Sequence, residues 1–168
     1  MTGASTSPNA SRCPRSGSTS EPDALPPVVV VHSLAHVLAA LDAAAAADRE
    51  VVLLSASEAG IYAGAGWFRA LVEAGREAVP QARFTIWVDC GGDAGAALAA
   101  LRAGIAALIF TGAGDVARRL ADIAAKQGAV LASARPPVDL DLGEAFFASA
   151  DVLRRQCADI LARPRPIC

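Results

Sequence analysis

The stretch Arg83–Asp115 most strongly constrains the fold of this chain. It reads RFTIWVDCGGDAGAALAALRAGIAALIFTGAGD, in which two apolar runs alternate with two glycine-rich turns and one alanine-rich segment. The apolar runs, Phe84–Val88 and Ala106–Phe110, are short and have no alternating polar face, a pattern typical of strands buried on both sides. Each run ends in a polar step, DCGGD or TGAGD, whose backbone N–H groups can face an anion at the start of a helix. The stretch therefore predicts two parallel strands joined by a helix, with a ligand site at their carboxyl ends.

The same strand–helix unit recurs on both sides of this stretch. The apolar runs predict five parallel strands, near residues 28–32, 51–55, 84–89, 106–111 and 129–133. Apolar residues at helical spacing predict helices near residues 35–47, 60–79, 94–103, 115–127 and 144–162. Ser55 or Ser57 is the expected N-cap of the second helix and Asp115 that of the fourth, and the VDLDLGE segment is expected to form an ordered loop.

Short connections between these units require parallel strands linked by crossover helices. The 168 residues suit one domain, and a complete TIM barrel needs eight strands in about 250 residues. We therefore predict an α/β fold, with a five-stranded parallel sheet in a three-layer α/β/α sandwich of the flavodoxin or receiver type. A partial or half TIM-barrel-like βα repeat is the alternative.

Two local patterns resemble known families. The polar residues Asp89, Thr111 and Arg135-Pro136 resemble receiver domains, which place an Asp, a Ser or Thr and a Lys-Pro after strands three, four and five. The chain departs from receivers at His32, where they have a pair of acids for Mg²⁺, and in having arginine where they have lysine. The segment GGDAGAALAALRAGIAALIFTGAGD is similar to the glycine turns found late in phosphate-binding TIM barrels.

Composition excludes several functional classes. The formal net charge is -2, from 15 basic and 17 acidic residues, and no basic stripe is interleaved with aromatic residues, so nucleic acid is not an expected partner. No apolar run approaches the roughly 20 residues of a membrane span, because His32, His36 and Asp42 interrupt the most apolar segment.

The chain divides into three parts by composition. Residues 1–27 are rich in Ser, Thr, Pro and Gly, and Leu25 is their one large aliphatic residue, so they cannot offset the entropy of ordering. We predict a disordered leader at 1–27, a single α/β domain at 28–163 and a frayed tail at 164–168. The start of the chain lacks the apolar segment of a secretory signal, which predicts a cytoplasmic protein.

The four cysteines give no indication of a metal centre. Cys13, Cys90, Cys157 and Cys168 include no CxxC pair, so neither zinc nor a disulfide framework is expected, and no cofactor is predicted. Cys157 fits a small buried hydrophobe. Cys90 follows a strand and precedes two glycines, where a helix N-terminus can activate a thiol, although no histidine lies nearby in sequence to serve as its base.

The carboxyl ends of the predicted strands carry the candidate site, since ligands of parallel sheets bind there. His32 and Asp89 are the candidate catalytic residues. The candidate ligand-binding residues are Ser55, Ser57, Gly91, Gly92, Thr111, Gly112, Gly114 and Arg135. Arg135 either pairs with Asp89 or binds a ligand anion, and Asp93 and Asp115 suit helix caps or first-turn acids.

Two functions follow from this edge of the sheet. The first is a non-catalytic binding or regulatory module for a small anionic metabolite, and it is favoured because no second catalytic group stands at diagnostic spacing. The alternative is a lyase, isomerase or aldolase-like enzyme acting on a small phosphorylated or carboxylated metabolite, with His32 or Asp89 moving a proton. The aromatic residues Trp67, Phe68, Phe146 and Phe147 also predict a homodimer that covers apolar helix faces.

Overall fold

The computed structural model describes residues 26–163. The predicted leader, apart from Pro26 and Pro27, and the predicted tail lie outside the described residues. In chain order the elements are β1 (Val28–Val31), α1 (Leu34–Ala46), β2 (Val51–Ser55), a π-helix (Gly60–Gly64), α2 (Ala65–Ala78), β3 (Phe84–Asp89), α3 (Ala94–Arg102), β4 (Ala107–Ile109), α4 (Gly114–Lys126), β5 (Val130–Ala132), β6 (Leu140–Asp141), a 3-10 helix (Leu142–Ala145) and α5 (Ala150–Ala162).

The α/β class and the parallel sheet are confirmed. All five predicted strands form and every strand pairing is parallel, and the element set is consistent with a three-layer α/β/α fold. The described residues contain six strands rather than five. The extra strand, β6, lies in the segment predicted as a loop and pairs with β1 through Leu140 and Asp141.

The strand order, which the sequence left open, is β5-β4-β3-β2-β1-β6. Strands β1 to β5 therefore follow one another in chain order, as in the barrel-like alternative, whereas flavodoxin-like sheets have the order 2-1-3-4-5. Residues 133–139 then cross from one edge to the other without a helix. They can span at most about 28 Å, and a flat sheet would separate its outer strands by about 24 Å. So short a connection favours a curved sheet.

Alternating residues of the strands feed two apolar clusters. The larger contains Val29 and Val31 of β1 together with residues of all five helices. The smaller contains Val28 and Val30 with strand residues alone. Successive side chains of a strand point to opposite faces of the sheet, which explains this division.

Several helix boundaries differ from the prediction. The second helix begins as a π-helix after Ala59 and has no side-chain cap, so the predicted capping by Ser55 or Ser57 is wrong. Helix α4 has Ala113 at its N-cap and Asp115 in its first turn, so Asp115 is not the cap. The predicted last helix is interrupted, because a 3-10 helix ends at Ala145 and α5 begins only at Ala150.

Candidate functional site

A polar network joins the carboxyl ends of β2 and β3. The Arg135 guanidinium forms an ion pair with Asp89 Oδ2 and also donates to the Ser55 carbonyl oxygen at 3.3 Å. Asp89 Oδ1 accepts from Gly91 N at 2.8 Å, and the Ser55 hydroxyl accepts from Asp89 N at 2.9 Å. The Asp89 side chain is only 4% exposed. Arg135 therefore neutralises a buried carboxylate at the end of β3, which is one of its two predicted roles. Its role in binding a ligand anion stays a prediction.

The two glycine turns lie side by side at this edge. Thr111 N donates to Gly91 O at 2.8 Å, and a Cβ on Gly92 would meet Gly112 Cα at 3.7 Å. Asp93 caps α3 by accepting from Ala96 N at 2.7 Å. Asp115 lies in the first turn of α4. Each helix thus has a carboxylate at its positive N-terminal end, which opposes the binding of a further anion there.

A second polar pair lies at the end of β1. His32 Nε2 bonds Asp141 Oδ1 at 2.7 Å, and Gly143 N donates to the same oxygen at 2.8 Å. Burial raises the pKa of Asp141, but the bond from Gly143 and the neighbouring His32 outweigh it and hold that pKa below its ordinary value. A Cβ on Gly143 would stand 2.7 Å from His32 Nε2. The glycine is thus what allows the 3-10 helix to approach the imidazole.

His36 supports this pair from α1. Its Nδ1 accepts from His32 N at 3.2 Å, so the neutral ring carries its proton on Nε2. That Nε2 is buried and makes no hydrogen bond of ordinary geometry among residues 26–163. Burial and the nearby His32 lower the pKa of His36 and outweigh the opposing effects of the Phe146 backbone and Asp141. The ring is therefore held neutral, edge-on to Phe146 at 5.4 Å between centroids.

A small pocket opens beside His32, between the ends of β1 and β2. Its volume is about 210 Å³. Trp67 and Phe68 of α2 form an apolar wall, while His32, Ser57 and Tyr62 add polar groups. Tyr62 OH donates to Glu58 Oε2 at 3.4 Å, which sets a carboxylate beside the pocket. We call this cavity the His32 pocket.

The structure gives the two predicted catalytic residues different ion-pair partners. His32 pairs with Asp141, whereas Asp89 pairs with Arg135, and the His32 pocket does not include Asp89. Of the two predicted serines, Ser57 lines the pocket and Ser55 belongs to the Asp89 network. The catalytic and ligand-binding roles of all these residues remain predictions.

Cys90 lies in an environment that opposes reactivity. Its side chain is buried, and burial followed by the negative charges of Asp89 and Asp93 raises the pKa of the thiol to about 11. A Cβ on Gly60 would come within 2.9 Å of Cys90 Sγ, so the π-helix packs directly on the sulfur. Both Cys90 and Cys157 act as small hydrophobes.

Sequence reasoning missed Asp141 and His36. Asp141 is 109 residues from His32, and nothing in the local pattern distinguishes it from other loop acids. A signal for His36 was present, because His32 and His36 are four residues apart across a strand–helix junction. The glycines at positions 60 and 64 were a signal that this segment departs from a regular α-helix, because glycine is costly in a helix interior.

Comparisons with known proteins add no relative. No protein-family model matches the chain, and no curated protein matches it. Within residues 26–163, no helix combines the length and apolarity needed to cross a membrane. No group of three or more His, Cys, Asp or Glu side chains in that range is arranged to hold a metal ion.

The lowered pKa of His36 predicts a loss of stability in mild acid. Below the ordinary histidine pKa of 6.5, His36 is protonated in the unfolded chain but stays neutral in the folded chain until the pH reaches its lowered pKa. Over this interval the free energy of unfolding falls as pH falls, by up to about 1.4 kcal/mol per pH unit. Urea unfolding at about pH 7.5 and pH 5.5 measures this loss. The His36→Gln variant should show a smaller loss over the same interval, and an unchanged loss in that variant would contradict the assignment.

Proposed function

We propose that this protein is a small-molecule-binding module whose ligand occupies the His32 pocket. The observation that carries the proposal is the His32–Asp141 pair, which holds an imidazole at 2.7 Å from its carboxylate on the rim of a pocket with an aromatic wall. A pocket that combines an apolar wall with a few fixed polar groups is the usual form of a ligand site. Its volume of about 210 Å³ restricts the ligand to a small metabolite.

The charges around the pocket favour an uncharged ligand over the anion predicted from sequence. Asp141 and Glu58 are carboxylates beside it, whereas the nearby Arg135 is paired with Asp89. A ligand carboxylate would therefore approach two like charges. We therefore propose a small neutral carbonyl or amide compound that accepts or donates a hydrogen bond at His32.

Matched amide and acid probes test this proposal. Lactamide with lactate, and benzamide with benzoate, share a skeleton and differ in charge. We expect the amides to shift the backbone NMR signals of residues 32–33 and 56–63, and the acids to shift them less at equal concentration. His32→Ala should abolish these shifts, and Glu77→Gln, on an exposed position of α2, should leave them. Equal or absent shifts with both probe classes would refute the proposal.

A second candidate function is proton transfer at a carbon next to a carbonyl. It is favoured by Asp141, because a carboxylate that holds one imidazole nitrogen orients the other for general base catalysis. His32 would remove the proton and return it to the enolate, so no other reactant is needed. In D₂O, dihydroxyacetone should then incorporate deuterium faster than in buffer, and His32→Gln should abolish the gain. Binding of dihydroxyacetone without deuterium incorporation would reject the enzyme and leave the proposal of a binding module unchanged.

We also propose a homodimer, whose surface includes Trp67, Phe146 and Phe147 but not Phe68. Phe68 is 1% exposed and packs in the core, so it cannot contribute. Trp67 is 46% exposed, Phe146 46% and Phe147 97%, and Phe146 lies near His36. These three side chains flank the His32 region, so an interface there would also shield the pocket. Light scattering that gives the monomer mass at high concentration would reject the dimer.

A further inference from the structure

Exposed aromatic side chains lie on both sides of helix α1. Tyr62 of the π-helix and Trp67 of α2 line the His32 pocket. Phe146 and Phe147 lie in the turn between the 3-10 helix and α5. All four side chains are exposed. Helix α1 packs against both α2 and α5, so it runs between a pocket with an aromatic wall and a pair of protruding rings.

The first turn of α1 joins these two features. The ring of His36 lies 5.9 Å from that of His32, beside the pocket, and 5.4 Å from that of Phe146. The ring of Phe147 follows at 5.1 Å from Phe146. Leu34, the first residue of α1, is itself exposed. The pocket, Leu34 and Phe147 therefore belong to one continuous surface at the carboxyl ends of the strands.

The apolar area of this surface approaches that of an interface core. From their exposed fractions, the four aromatic side chains alone present on the order of 500 Å². The largest apolar patch of a typical soluble monomer measures about 300–600 Å². A standard interface buries about 800 Å² on each partner, as an apolar centre within a polar rim. A second copy of the chain supplies an equal area to cover the patch.

The His32 pocket has the size of one phenyl ring. Its volume is about 210 Å³, and an apolar cavity of about 150 Å³ already holds benzene. Phe147 is almost fully exposed and does not line the pocket of its own chain. The turn that carries it, AFFASA at residues 145–150, has no charged residue. The ring can therefore enter a pocket without bringing a charge beside the carboxylates there.

We propose that Phe147 of each copy fills the His32 pocket of a second copy in a two-fold dimer. The inference rests on the pocket of the proposed function, and it makes dimer formation and ligand binding compete for one cavity. The ligand then binds the monomer and dissociates the dimer by mass action.

Two-fold symmetry lets one patch serve as both halves of this contact. In an isologous dimer the same surface meets itself, so each contact from one copy is repeated in the opposite direction. An axis close to Leu34, between the pocket and Phe147, brings each ring to the pocket of the other copy. Leu34 then meets its own counterpart near the axis, where an apolar side chain suits the dry centre of an interface.

Complementation between two variants tests the interface. Phe147→Ala removes the ring and Trp67→Ala removes the wall of the pocket. Each variant alone should dimerise about a hundredfold more weakly than the natural chain, because a two-fold dimer loses the contact twice. In an equal mixture, the heterodimer keeps one intact ring facing one intact pocket. We expect it to dimerise at least about tenfold more tightly than either variant alone in analytical ultracentrifugation of the full chains.

The controls separate the ring contact from general apolar adhesion. Val130→Ala replaces an exposed valine at the amino ends of the strands and should leave dimerisation unchanged. Tyr62→Ala is the second pocket variant, for use if Trp67→Ala does not fold. A heterodimer whose affinity is close to the geometric mean of the two variants would overturn the proposal. So would a monomeric natural chain, and a dimer gained by deleting residues 1–25 would then identify that segment as the occupant.

Ligand competition separates this inference from the proposed function. Benzamide at ten times its dissociation constant should weaken dimerisation of the natural chain about a hundredfold, because both pockets must be empty for the dimer to form. Benzamide that binds the monomeric Phe147→Ala variant but leaves the natural dimer unchanged would overturn the inference and keep the ligand site. Benzamide that binds neither protein would refute the ligand site alone, since the complementation experiment uses no ligand.

Discussion

Replacing Arg135 with alanine is expected to lower the free energy of unfolding by about 3 kcal/mol. The Asp89 side chain is 4% exposed and the Arg135 side chain 28%, so the variant leaves an almost fully buried carboxylate without its cation. Gly91 N would remain its hydrogen-bond donor, which cannot replace the lost charge. Urea unfolding of both proteins measures the difference.

An exposed ion pair in the same protein is the control. Arg83 and Asp48 lie 3.2 Å apart, with side chains 63% and 96% exposed, so solvent screens them and Arg83→Ala should change the stability by less than about 1 kcal/mol. Adding Asp89→Asn to the Arg135→Ala variant should restore part of the loss, because a neutral amide oxygen still accepts from Gly91 N. Equal losses in the two arginine variants would show that burial of Asp89 does not matter.

Gly75→Ala in α2 is expected to destabilise the protein by about 1–3 kcal/mol, although alanine has the higher helix propensity by about 1 kcal/mol. A Cβ at this position would stand 2.4 Å from Val37 Cγ1 and 3.1 Å from Leu41 Cδ1 of α1. Valine in a helix has one strongly preferred rotamer, so the side chain cannot turn away. The helices must then separate, which loosens the packing of α1 against α2.

The same substitution elsewhere in α2 should have the opposite effect. A Cβ on Gly66 would meet no atom within 4 Å, so Gly66→Ala is expected to stabilise the protein by a few tenths to about 1 kcal/mol. Val37→Ala alone also costs stability, because Val37 is fully buried, but Gly75→Ala should cost less in the Val37→Ala background than in the natural chain, since the clashing methyl groups are gone. Thermal unfolding of the five proteins gives the comparison, and a destabilised Gly66→Ala variant would show that propensity is not the controlling term.

The sequence left two roles open for Arg135, an ion pair with Asp89 and the binding of a ligand anion. The pattern of a buried strand ending in Asp89, followed by glycines, singled out the carboxylate, and the strand-end position of Arg135 made a pair with it one of two alternatives. The pair forms in the three-dimensional arrangement because the 133–139 segment passes the ends of β2 and β3, and the binding of a ligand anion by Arg135 stays a prediction. That path depends on the strand order, which no local pattern contains.

The features that the sequence determined by itself are those set by neighbouring residues. The aliphatic runs at 28–31 and 51–55 predict buried parallel strands, and Asp93 caps α3, because strand burial and capping depend on spacings of a few residues. Tertiary structure alone decided the pairing of His32 with Asp141 and the place of β6 beside β1. Each of these joins segments far apart in sequence, and the packing of the whole sheet selects such contacts from many alternatives of similar local energy.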